Sequence, residues 1–199
     1  MLFKQKYKNK KHFKKIATKL YACALENTRK DVFYKNCGVP DSFDGRFDLL
    51  LLHIFIILHH IMDHEEYEGI SQALFDVMFK DMDQTLREIG IGDVGVPKHM
   101  KRMMKAFNGR MYNYQVAISP DSVKIEEVEG LKVTSLEEAI ARNLYGGRDV
   151  DQNHVNEMVA FVTNNIENLE TSVDEIADGG ISYINKFSDN EEEVEKYVG

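Results

Sequence analysis

Residues 49–62 read LLLLHIFIILHHIM, fourteen positions without an acid, a lysine, an arginine, a glycine or a proline. As a helix this stretch reaches about 21 Å, short of the roughly 30 Å hydrocarbon core of a bilayer. It is apolar on every side, so a soluble chain has to surround it with other elements. The segment therefore predicts a buried central helix, from about Arg46 to His64, with the rest of the chain wrapped around it.

The wrapping elements are also helical by pattern. A helix from about His12 to Arg29 carries Phe13, Ile16, Leu20 and Ala24 on one stripe, and 36–45 (NCGVPDSFDG) has the composition of a turn. A helix from near Ser71 to Ile89 places Phe75, Met78, Phe79, Met82, Leu86 and Ile89 on one face, with Asp76, Lys80, Asp83 and Arg87 opposite as i,i+4 pairs. Pro97 opens a helix to about Ile118 with the stripe Met100, Met103, Met104, Phe107, Met111, Tyr114 and Ile118. Residues 122–134 alternate imperfectly and predict an extended loop or a short hairpin. Ser135 and Glu138 form a capping-box signature for a helix ending near Tyr145. Another helix covers about Asn153 to Leu169, and 185–199 reads as a frayed helix or tail. The expected fold class is all-α, a single compact multi-helix domain, which suits 199 residues with three prolines and no internal repeat.

Charge divides the chain. The net charge is −8, yet the first 19 residues hold eight lysines and no acid, so the remainder is twice as acidic as the total suggests. Such a body is not a general nucleic-acid binder, and no DNA contact is expected. The arm, through Lys8, Lys10, Lys11, Lys14 and Lys15, suits an anionic surface, either a membrane or ribosomal RNA. Cys23 and Cys37 lack zinc or redox spacing and read as free thiols. With no signal-peptide or transit-peptide pattern, the expected location is a bacterial cytoplasm, with peripheral contact at the inner membrane, and an already processed organellar protein is the alternative.

Reactive constellations are sparse. Gly90-Ile-Gly92-Asp-Val-Gly95 fits G-x-G-x-x-G, but a helix precedes it where a nucleotide site needs a strand, so the glycines are expected to end the helix. His53, His60 and His64 lie near one line of the buried helix. They leave a haem- or metal-binding helical protein as an alternative function, although two histidines at i,i+4 are a weak ligand set and no metal is expected. The acids Asp76, Asp81, Asp83 and Glu88 come with no nucleophile or base in motif spacing. From Pro97 to Ile118 there is no acid, and a methionine stripe is flanked by Lys98, Lys101, Arg102, Lys105 and Arg110. Methionine fills irregular cores and also lines pliable binding grooves, and the spacing alone leaves both open.

The segments GVPDSFDGRFDLLLLH (38–53), SQALFDVMFKDMDQTLREIGIGDVGVPK (71–98), MMKAFNGR (103–110) and EEAIARNLYG (137–146) resemble, in that order, the ubiquinol-cytochrome c chaperone family. The resemblance implies an all-helical domain over 20–146, between the lysine-rich arm 1–19 and an acidic helical extension 147–199. It implies a non-enzymatic chaperone without a cofactor that binds newly made cytochrome b, works with a small helical partner, and supports assembly of ubiquinol-cytochrome c reductase (the cytochrome bc1 complex). The family's motif falls on Asp41, Asp44, Gly45, Arg46 and His53, on Asp76, Asp81, Asp83, Leu86, Arg87, Glu88, Gly90, Gly92 and Asp93, and on Gly109 and Arg110. With the groove residues Met103, Met104, Phe107 and Met111, the charged members of this set other than Glu88, and His53, are the expected partner contacts. Read as structure, Asp44 is a candidate cap of the buried helix, and Asp83 with Arg87 a pair within one helix. Ser42 stands where the family usually has Thr, Asn108 where it has an aromatic, and His59-His60-Ile61 where Arg-Leu is common.

Overall fold

The computed structural model describes residues 2–119, 135–147, 149–168, 172–177 and 181, and these contain eight α-helices and no strand. The all-α expectation holds, and the apolar segment is the centre. It lies in α3, Phe43–Ile61, where every residue from Phe47 to Ile57 is buried. The N-cap is Ser42, whose Oγ accepts from the Gly45 N–H at 3.1 Å. Asp44, expected to cap, sits in the first turn instead, where its charge complements the helix dipole. The entry is tight: a Cβ at Gly45 would lie 2.1 Å from the Pro40 carbonyl oxygen, so only glycine fits there.

Helix α1, Leu2–Thr28, packs along α4, Tyr67–Glu88. The two run parallel: the Phe13 ring lies against Gly69, and farther along the Tyr21 hydroxyl donates to Asp81 at 2.7 Å. Ile16, Leu20 and Ala24 are buried as the spacing predicts, Ala17 joins them, and Phe13, expected on the same stripe, is half-buried. The helix starts ten residues earlier than its apolar pattern, however, and carries Lys10, Lys11, Lys14 and Lys15 on exposed positions. The side chain of Lys8 is not among those described.

A short α2, Asp31–Lys35, not anticipated from sequence, drives Phe33 into the core. After α4 the chain reverses into α5, Val96–Ile118, and continues with α6, Leu136–Asn143, capped by Ser135 as predicted, α7, Gln152–Glu167, and α8, Val173–Ala177. Helices α1 and α4 cover one side of α3, and α5 and α7 also pack on it. Beside α7, the rings of Phe33, His53 and Phe161 meet edge-on with centroids 5.1–5.6 Å apart. The loop or hairpin expected at 122–134 and the tail 185–199 lie outside the described residues. Among the described residues no helix is long and apolar enough to cross a membrane.

Candidate functional site

Helix α5 separates two concavities. The first is a groove of about 600 Å³ between the second half of α3, the start of α4 and the second half of α5. Phe55, Leu58 and Met62 form its floor, Tyr67 and Phe75 one wall, and Phe107 and Met111 the other. Phe107 is held edge-on by Phe75 at 5.4 Å and Phe79 at 5.9 Å. The polar lining, such as Ser71, Gln72, Asn108 and Gln115, is neutral, and none of the lining residues is Asp, Glu, Lys or Arg. Burial lowers the pKa of His59, which keeps that ring neutral near pH 7. Met104, 41% exposed, falls on the same line of α5 as Met111 seven residues on, which extends the apolar strip toward the start of the helix.

The second concavity is a cleft of about 380 Å³ between the turn before α3, the first half of α5 and the turn after α6. An ion pair lies in it: Arg110 Nη2 is 2.7 Å from Asp48 Oδ1, with the side chains 22% and 12% exposed. Burial pushes the Asp48 carboxyl up to about 6, although the Arg110 charge and hydrogen bond pull the other way. Tyr145 closes one end by donating to the Cys37 carbonyl at 2.6 Å. Three of the motif-bearing segments meet here, through Ser42, Asp44 and Gly45, through Met103 and Arg110, and through Tyr145 and Gly146. Asp48 was not among the residues expected from sequence. Its signal is a lone carboxylate at the head of a run of leucines, where burial demands a cationic partner.

The other expected residues go to separate places. Asp41 pairs with Arg46 at 2.6 Å, and the Arg46 guanidinium stacks over Tyr34 at 5.0 Å. The Arg46 hydrogen bond holds the Asp41 carboxyl below the usual carboxylate range. Asp76 accepts from Gln72, and Asp81 from Tyr21. Arg87 bridges Asp83, at 2.7 Å, and Asp93, at 2.5 Å, across the α4–α5 loop. Gly90, at φ +89°, closes α4 in the role expected for it. His53 and Met103, expected at a contact surface, are interior, 0% and 4% exposed. The stripe of histidines does not converge: His53 packs on Phe33 and Phe161, His60 Nε2 donates to the Asn165 carbonyl, and His64 Nδ1 accepts from the Glu66 N–H. Among the described residues no group of three or more His, Cys, Asp or Glu is placed to hold a metal ion.

Residues 35–183 match the family described as ubiquinol-cytochrome C chaperone. A Xenopus laevis protein, ubiquinol-cytochrome-c reductase complex assembly factor 1, is 26% identical over 165 residues, covering 82% of this chain and 76% of that protein. The Homo sapiens factor is 25% identical over 157 residues, covering 78% of this chain and 48% of its own length. The crystal structure of the Cbp3 homolog from Brucella abortus is similar with a TM-score of 0.64 at 29% identity, covering 92% of this chain and 94% of that one.

Proposed function

The chain belongs to the ubiquinol-cytochrome c chaperone family, and from that premise we propose that it is a non-enzymatic assembly chaperone for ubiquinol-cytochrome c reductase whose client is cytochrome b. The observation that carries the reading is the uncharged groove beside α5. An apolar helix of a client brings no charge to be compensated, and this lining offers aromatic and methionine side chains that adapt to an irregular partner. A binding role of this kind makes no catalytic demand.

In this reading Phe107, Met111 and Met104 contact the client directly. The exposed motif residues Asp41, Asp44, Arg46, Asp76, Arg87 and Asp93, and half-buried Asp81 and Asp83, serve the client or a small helical partner protein. Interior His53 and Met103 hold the helices that carry these contacts. Residues 20–146 form the chaperone domain, the lysines of 1–19 give peripheral contact with the membrane or the ribosome, and 147–199 are an acidic extension of it.

The test is capture of the tagged full-length chain from its native cells after mild crosslinking, with bound proteins identified by mass spectrometry. Enrichment of cytochrome b is the expected result, and Met111→Asp should reduce it. Absence of cytochrome b from the capture while it is abundant in the input would refute the client.

A further inference from the structure

The α4–α5 loop is an ordered turn that presents aliphatic side chains to solvent. The Ile91 N–H donates to the Leu86 carbonyl and the Val96 N–H to that of Gly92, and Ile91 packs against the core. Between these anchors Ile89 is 58% exposed and Val94 is 95% exposed. They are two of the four large hydrophobic residues exposed among the described residues, and a third, Met104, follows on α5.

Immediately after the loop comes a cationic face. Lys98, Lys101, Arg102 and Lys105 are all exposed, and at 100° per residue they fall within a stripe about 100° wide. No acid occurs from Val94 to Pro120. The acids here have partners: Asp83 on α4 and Asp93 within the loop both pair with Arg87, and Glu88 accepts from Gln84.

We propose that the Ile89–Val94 loop and the cationic side of α5 form a docking surface for an anionic lipid bilayer. Aliphatic side chains at a loop tip bury in the boundary between headgroups and acyl chains, and each nearby cation gains from the anionic headgroups. Exposed aliphatic residues favour lipid over RNA, because a single-stranded nucleic acid is gripped by stacking on aromatic rings. Charge also sets orientation. A chain of net charge −8 is repelled by an anionic surface except where it turns a cationic face toward it, and this face and the lysines of α1 are two such faces. Docking this way brings the start of α5, with Met104 and the apolar strip leading to the groove, next to the bilayer. The surface does not depend on the identity of the client.

It is also distinct from the lysines of α1. Because α1 runs parallel to α4, with His12 beside Glu66 and Tyr21 on Asp81, Lys10 to Lys15 lie near the start of α4. The loop lies past the other end of a helix about 33 Å long.

The chain contains no tryptophan, so Val94→Trp installs a single reporter at the proposed contact. The full-length variant is mixed with vesicles of phosphatidylcholine and phosphatidylglycerol, or of phosphatidylcholine alone. Emission from the introduced indole is expected to shift to the blue and to be quenched by brominated acyl chains on the anionic vesicles only. Replacing Lys98, Lys101, Arg102 and Lys105 by Gln in the Val94→Trp background should weaken this binding about ten-fold or more. Replacing Lys10, Lys11, Lys14 and Lys15 by Gln should leave the blue shift in place. Failure to bind anionic vesicles overturns the proposal. So does binding in which the indole stays in water, whether α1 holds the vesicle or the cations prove to serve RNA.

Discussion

The groove and the cleft share α3 as their floor and α5 as their dividing wall, yet they make opposite demands on their side chains. In the groove, Phe75, Phe107, Met62 and Met111 can change rotamer without stranding a polar group, and no charge has to be satisfied. In the cleft, Asp48 and Arg110 are removed from most solvent and stay stable only while they face each other. The pair locks α3 to α5, and Tyr145 ties the turn after α6 to the turn at Cys37. Three of the segments that carry the family resemblance thus meet where the helices are fastened, while 71–98 and 103–110 line the groove through Ser71, Gln72, Phe75, Phe107 and Asn108.

The sharpest way to break this comparison uses two neighbours in sequence. Met103 is core and Met104 is exposed. Met103→Asp buries a carboxylate in the core, beside an Arg110 already engaged by Asp48, and should cost more than about 4 kcal/mol, enough to abolish cooperative unfolding in urea. Retention of a normal transition would show that the first half of α5 is loosely packed and that the cleft is not a lock. The next largest effect is expected for Arg110→Ala. It strands Asp48 and should cost about 3 kcal/mol by chemical denaturation. Asp48→Ala with Arg110→Ala should cost less than the sum of the two single changes, and strict additivity would sink the pairing.

The cleft also titrates. Asp48 has a folded pKa of about 6, above its ordinary value, so the folded state binds that proton more tightly. Its contribution to stability is full below about pH 4 and is lost as pH rises through 6. His53 works in the opposite sense over the same window. Burial, reinforced by the Lys30 charge, lowers its pKa to about 3, so its contribution is present above 6.5 and is lost as pH falls. The two slopes oppose each other in the wild type. Stability of the wild type minus that of Asp48→Asn, followed from pH 4 to 7, isolates the cleft and should fall with rising pH. A flat difference would place the carboxyl at an ordinary pKa.

Much of this was legible before the structure, and the gaps have physical reasons. The segment from Leu49 to Met62 announced a buried helix because nothing else satisfies an all-round apolar surface. The stripe of α4 was readable from its spacing as far as Leu86, while Ile89, expected on the same face, is exposed, as is Met104 of the α5 stripe. In α1 the lysines before His12 have no apolar period, so the pattern could not show that the helix continues to Leu2. Five residues of α2 are too few for a period to emerge. Asp41, Ser42 and Asp44 are all competent caps, and the choice of Ser42 depends on the turn at Pro40 and Gly45, a matter of tertiary geometry. The ion pair escaped because Asp48 and Arg110 are 62 residues apart, and helical spacing reports only neighbours within one helix. Met103 and Met104 sit about 100° apart on α5, and only the packing of α3 and α6 decides which is core.

The smallest expected effect on stability is the most informative about function. Met104→Asp changes an exposed side chain and leaves every hydrogen bond of α5 in place, so its unfolding free energy should stay within about 0.5 kcal/mol of the wild type. A carboxylate there nevertheless puts a charge in the apolar strip that runs from the loop to the groove, where a client helix would have to strip it of water. Capture of cytochrome b should therefore drop while the urea midpoint stays still. Arg87→Ala tests the charged surface in the same way: it removes the exposed clamp between Asp83 and Asp93, the midpoint should be unchanged, and capture should fall only if Arg87 serves the client rather than the small partner. Loss of capture in Arg87→Ala but not in Met104→Asp would move the client from the groove to the charged end of α4. That outcome would reverse the roles assigned to the two kinds of surface.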